Sequence, residues 1–113
     1  MTIATSSGDF IDAKLLKNYF KKLVNSFFKI LPMKENQEDS LDKYLRSLQR
    51  ELIGCQSLIT AIQEDSLYLT LLAILQYIID HPDCSTKEVR RDIFRAISIC
   101  NQLEATYFEE VAT

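Results

Sequence analysis

A chain of 113 residues that is 47% hydrophobic and 26% charged, with only two Gly and two Pro, has the length of one domain, residues 1–113, and too few turn residues for an all-β fold. Its net charge of −3 opposes wholesale nucleic-acid binding. Its longest apolar run, residues 67–79, falls short of the ~20 residues that cross a bilayer.

The opening MTIATSSGDFIDA carries neither a basic region nor an apolar run, so no secretory leader is expected there. Residues 1–11, small and polar, are expected to fray. Asp12 can N-cap a first helix that reaches about Leu31, because Pro32 disfavours helical geometry in its predecessor. Leu16, Tyr19, Phe20, Leu23, Phe27, Ile30 and Leu31 recur at threes and fours, the helical period. Lys14, Lys17, Lys21, Lys22, Asn25 and Lys29 fill the other side. Pro32 to Asp39 reads as an acidic linker.

Asp39 or Ser40 can start the second helix. Its inward stripe is Leu41, Leu45, Leu48, Leu52, Cys55, Ile59 and Ile62, widened by Tyr44 and Leu58. Gly54 falls inside it, at a cost of ~1 kcal/mol relative to Ala. A neighbouring backbone packed close against it would explain the glycine, and a kink is the alternative. Glu64, Asp65 and Ser66 turn the chain into a third helix, which His81 and Pro82 end. Its body, LYLTLLAILQYII, is apolar on every side and must sit inside something, either the other three helices or, at one face, a second subunit. Ser85-Thr86-Lys87-Glu88 has the spacing of a capping box. The fourth helix then carries Val89, Ile93, Ala96, Ile97, Cys100, Leu103 and Tyr107 inward and fades near Glu109 and Glu110.

The expected fold is therefore all-α, a four-helix, antiparallel up-down bundle around a central apolar third helix. Charge is unevenly distributed along it. Residues 1–34 hold six Lys against Asp9 and Asp12, giving +4, and residues 35–66 hold seven acids against Lys43, Arg46 and Arg50, giving −4. Such blocks face each other within one fold or between two copies.

Chemistry-bearing motifs are sparse. His81-x-x-Cys84 has a spacing used by zinc sites, but Cys55 and Cys100 fall on core stripes, where free Cys behaves as a small hydrophobe. The odd cysteine count, without a C-x-x-C pair, suits reduced thiols in the cytoplasm. No third group orients His81 beside Cys84, and no glycine-rich loop cradles a phosphate. No catalytic residue, cofactor site or metal site is expected, and the chain reads as a non-enzyme. KNYFKKLVNSFFKIL has the composition of membrane-surface and calmodulin-target helices. Its apolar side is also the natural cover for the third helix.

Residues 75–95, LQYIIDHPDCSTKEVRRDIFR, resemble the opening of a winged-helix or helix-turn-helix domain. Lys87, Arg90, Arg91 and Arg95 then form one face that can track phosphates. After Arg95 the family's turn and recognition helix are missing, since ISICNQLEATYF continues without a breaker. Glu88 and Asp92 also dilute the basic face.

More broadly, NYFKKLVNSFFKILP, SLQRELIGC, LQYIIDHPDC and VRRDIFRAISIC, spanning residues 18 to 103, resemble small all-helical, uncharacterised proteins of phages and integrated mobile elements of gut bacteria. That resemblance implies an accessory protein working with a partner. The resulting expectation is a helical protein-interaction module, dimeric with itself, contacting its partner through Tyr68, Leu72 and Tyr77 with Lys21, Lys22 and Lys29 as a rim. The alternative is nucleic-acid contact through the basic face of the last helix.

Overall fold

The computed structural model describes residues 2–112, with side chains as far as Thr106. Five helices and a two-stranded sheet make up the chain: β1 (Thr2–Ala4), β2 (Phe10–Asp12), α1 (Ala13–Phe28), α2 (Ile30–Glu35), α3 (Leu41–Leu58), α4 (Ser66–Asp80) and α5 (Thr86–Ala112). The helical class expected from the sequence holds. A small sheet and a fifth, short helix were not anticipated.

The opening residues pair instead of fraying. Ile3 lies opposite Ile11 in an antiparallel hairpin, whose tip is closed by Thr5 N–H on the Asp9 carbonyl at 2.8 Å. Gly8, at φ 89°, makes the left-handed turn that other residues resist. Ile3 is buried against the core, and Ser6 N–H donates to the Leu58 carbonyl at 2.8 Å. The hairpin thereby satisfies one of the orphan carbonyls at the end of α3. Its outer face carries Phe10, which is exposed.

Pro32 interrupts the first helix, one turn earlier than expected. A proline ring collides with the carbonyl four residues back, and here that residue is Phe28, the last of α1. The chain breaks at Lys29 and restarts as α2, where Pro32 occupies the first turn and its missing N–H is no loss. The stretch expected to be a linker is thus half helix. Gln37, at φ 52°, then closes α2 in a left-handed turn. Its N–H reaches the Lys34 carbonyl at 3.1 Å, and that of Glu38 reaches the Met33 carbonyl at 3.0 Å.

Asp12 caps α1 through the Lys14 N–H, as expected. Asp65 caps α4 through Leu67 and Tyr68. Ser40 precedes α3 without a side-chain bond, and Ser85 Oγ accepts from Glu88 N–H at 3.2 Å. α3 ends at Leu58, several residues before the expected stop. Ile59 becomes extended and bridges Thr5, and Thr60–Ile62 form a 3₁₀ turn. Ile59 and Ile62 are still buried, but Leu58 is half exposed instead of widening the inward stripe.

α1 packs chiefly on α5, while α4 touches α3 on one side and α5 on the other. The core runs through Leu16, Phe20, Leu23, Phe27, Leu52, Leu71, Leu75, Ile93 and Leu103. The third segment is not sheathed all round. α4 buries Leu71, Ile74, Leu75, Ile78 and Ile79 but leaves Leu69 and Tyr77 45% and 48% exposed. α5 runs unbroken to Ala112, and the expected inward Tyr107, like Glu109 and Glu110, lies outside the described side chains. Nothing packs close to Gly54, because a Cβ built there meets no atom within 4 Å. The close-packing explanation of that glycine is overturned.

If the hairpin is part of the core, Ile3→Ala should cost about 2 kcal/mol or more in urea unfolding. A frayed terminus would show no change.

Candidate contact surfaces

Tyr68 is a core residue. Asp65 starts α4 so that position 68 turns toward α1 and α3, and the ring stands edge-on to Phe20 at 6.3 Å between centroids. Its hydroxyl donates to the Leu52 carbonyl at 2.5 Å. Fully enclosed, it offers nothing to a partner, which corrects its assignment as a contact residue. A buried hydroxyl needs such an acceptor, since leaving it unpaired costs ~1–3 kcal/mol.

Tyr77 faces the other way. Its ring stacks on His81 at 4.0 Å and 23°, and His81 Nδ1 lies 2.8 Å from the Tyr77 carbonyl. A carbonyl only accepts, so Nδ1 carries the proton and the imidazole finishes α4 as a C-terminal cap. Leu69, Thr70, Ala73, Ile74 and Tyr77 of α4 line an open groove of about 580 Å³ with Arg91, Asp92 and Arg95 of α5. Leu72 is half buried beside the core. Lys21, Lys22 and Lys29 are exposed on α1 and are not among the residues of this groove. Of the six expected contact residues, Tyr68 is enclosed and Tyr77 alone lines this groove, where the cations are Arg91 and Arg95 of α5.

The basic face of α5 also divides. Arg90 pairs with Glu35 of α2 at 2.9 Å, whereas Arg91 and Arg95 look into the α4–α5 groove. Lys87 is exposed near the start of the helix. The Arg90 pair is open to water on both sides, so it adds at most ~1 kcal/mol and holds the guanidinium loosely. Among the described residues, no ion pair engages Lys21, Lys22 or Lys29.

A second cleft, about 210 Å³, opens at the far end of the core, between the start of α3 and the α4–α5 turn. Its floor is Ile30, Leu45, Ile78, Ile79 and Val89, and Lys34 crosses its rim to donate to the Pro82 carbonyl at 2.8 Å. His81 and Cys84 both line the cleft, but His81 Nδ1 is turned to the Tyr77 carbonyl and Cys84 meets His81 through its backbone N–H on the His81 carbonyl at 3.1 Å. Burial also pushes the Cys84 thiol up. The cysteines are all free. Burial alone pushes the Cys100 thiol up to about 12, and burial also raises Cys55, against the nearby Tyr68 hydroxyl, which lowers it. Both are protonated at neutral pH and are poor nucleophiles. Among the described residues, no three or more His, Cys, Asp or Glu come together in a way that would hold a metal.

A third groove lies over the α1–α3 seam, lined by Ile11, Leu15, Tyr19, Gly54, Cys55 and Leu58 among others, and also measures about 210 Å³. Desolvation is the main reason that the Tyr19 hydroxyl, beneath it, is held far above the usual phenol range, with Glu51 and Cys55 adding to the effect. Sequence reasoning passed over this seam. The signals for it were Leu15, one position off the buried stripe of α1, and a glycine inside α3.

No family model matches the sequence, and neither a curated protein nor a solved structure matches it significantly.

Tyr68→Phe should destabilise the fold by about 1 kcal/mol, while Tyr77→Ser should change thermal stability by no more than a few tenths of that, as befits an exposed side chain. Alkaline titration provides a second check. A thiol that ionises near its ordinary 9.0 when unfolded, but only near 12 when folded, favours the folded chain fully below pH 9.0. That contribution is lost as pH rises toward 12, so the urea midpoint of the wild type should fall over this window more steeply than that of Cys100→Ala.

Proposed function

We propose that this chain is a non-enzymatic helical module that works by protein–protein contact, including contact with a second copy of itself. In this reading α1, α3, α4 and α5 are the members of an antiparallel up-down bundle, and the hairpin closes one end of it. The observation that carries the proposal is apolar surface left uncovered on a well-formed core. Phe10, Leu15, Leu58, Leu69, Tyr77 and Phe94 are each between 45% and 68% exposed, and five of them gather at grooves or the hairpin beside one. Grouped exposure of this kind marks contact surfaces more often than isolated surface residues do. The resemblance to accessory proteins of phages and mobile elements supports a cytoplasmic role beside a partner. The absence of any helix long and apolar enough to cross a membrane among the described residues agrees with it.

Nucleic-acid contact is the second reading, favoured by one arrangement. Arg91 and Arg95 stand beside the half-exposed Tyr77 in a single groove, and arginine next to a free aromatic face suits a stacked base on a charged backbone. Glu88 and Asp92 on the same helix weaken the field, and a chain of net charge −3 gains little from steering toward phosphates.

Two measurements separate the readings. Sedimentation at micromolar to submillimolar concentration should show reversible dimers. A salt-dependent shift assay with Arg91→Glu and Arg95→Glu together should show no specific nucleic-acid binding in either wild type or variant. Tight, salt-sensitive binding that the double variant abolishes would reverse the order of the two readings.

A further inference from the structure

No close neighbour inside the monomer explains Gly54. Its backbone is helical, not left-handed, no neighbour approaches within 4 Å of where a Cβ would stand, and any other residue but proline would make α3 a better helix. What is special about the position is that it lines the apolar groove over the α1–α3 seam together with Leu15 and Leu58. These two leucines are 60% and 50% exposed. Projecting apolar side chains and a hollow with open space over the bare backbone of Gly54 therefore share one groove.

We infer that this seam is the interface of a symmetric dimer, in which the partner copy's Leu15 settles on the backbone of Gly54. The inference deepens the self-association reading and rests on it. A second copy fits better than a foreign partner for two reasons. An isologous contact requires knob and hole on the same patch, and this patch has both. The charges at its edge also match across a two-fold axis. α1 and α3 run antiparallel along the seam, with Ser26 level with Tyr44 and Tyr19 level with Glu51 and Cys55. By the same register Leu15 is level with Gly54. A two-fold axis along the groove lays each α1 over the partner's α3 at unchanged height. It then sets Leu15 over the partner's Gly54 and brings Lys22, three positions beyond Tyr19, within about one helical turn of the partner's Glu51. Lys22 and Glu51 are both exposed, and among the described residues neither has an ion-pair partner. The unmatched charge blocks of the sequence would meet here between copies.

The test exploits opposite signs. Gly54→Ala and Gly54→Leu enter open space, so both should fold with unchanged helicity and melt at a higher temperature than wild type at low concentration. Both should nevertheless weaken the dimer by sedimentation, Leu by more than about tenfold and Ala by less. Lys22→Glu should weaken it too, and Lys22→Glu combined with Glu51→Lys should recover most of the loss. A wild-type dimer whose dissociation is unmoved by Gly54→Leu overturns the seam while leaving self-association standing. A wild type that stays monomeric at submillimolar concentration overturns both.

Discussion

The Tyr68 side chain is the constraint around which the helices are arranged. Its ring reaches Phe20 of α1 and its hydroxyl reaches the Leu52 carbonyl of α3, so one residue of α4 fixes three helices in register. Hydrophobic burial alone leaves a helix free to slide or rotate by a side chain at small cost. A buried hydroxyl removes that freedom, because only one rotation of α4 gives it an acceptor. That rotation also decides what remains outside. With Tyr68 inward, Leu69 and Tyr77 cannot be covered by the same chain, and the α4–α5 groove follows from the placement of the core.

Long, strongly periodic segments were legible before any coordinates. The inward stripes of α1 and α5 hold almost residue by residue, and Asp12 caps where its position suggested. Short-range features escaped for identifiable reasons. Three-residue strands contain too few alternations to register as a period, so Ile3 and Ile11 looked like isolated apolar residues in a polar opening. The closing turn of α2 uses Gln37 where glycine is the usual signal, so nothing in PMKENQED announced that a helix precedes it.

The third segment shows a different limit. Apolarity on every side calls for cover by the other helices or by a second copy, and within one chain Leu69 and Tyr77 stay half exposed. Composition alone does not say which face of a helix its own chain can reach. Tyr68 and Tyr77 show the limit most plainly. They are the same residue type on the same helix, and the first lies wholly inside while the second stacks on His81 at the surface. Nine residues are about two and a half helical turns, so the two rings point to opposite sides, and the Tyr68 hydroxyl bond to Leu52 fixes which of them is inside.

The pairing of α1 with α5 has a consequence for how the chain comes to exist. α1 finds its main cover in α5, so Phe20 and Phe27 must wait until α5 has been synthesised before that side is shielded. The amino-terminal hairpin waits as well, for the end of α3, whose Leu58 carbonyl and Ile59 it binds. An otherwise local helical topology thus closes through contacts far apart in sequence. Its folding should be slow for its class, and the nascent chain carries a greasy, lysine-flanked helix in the open until α5 follows it from the ribosome.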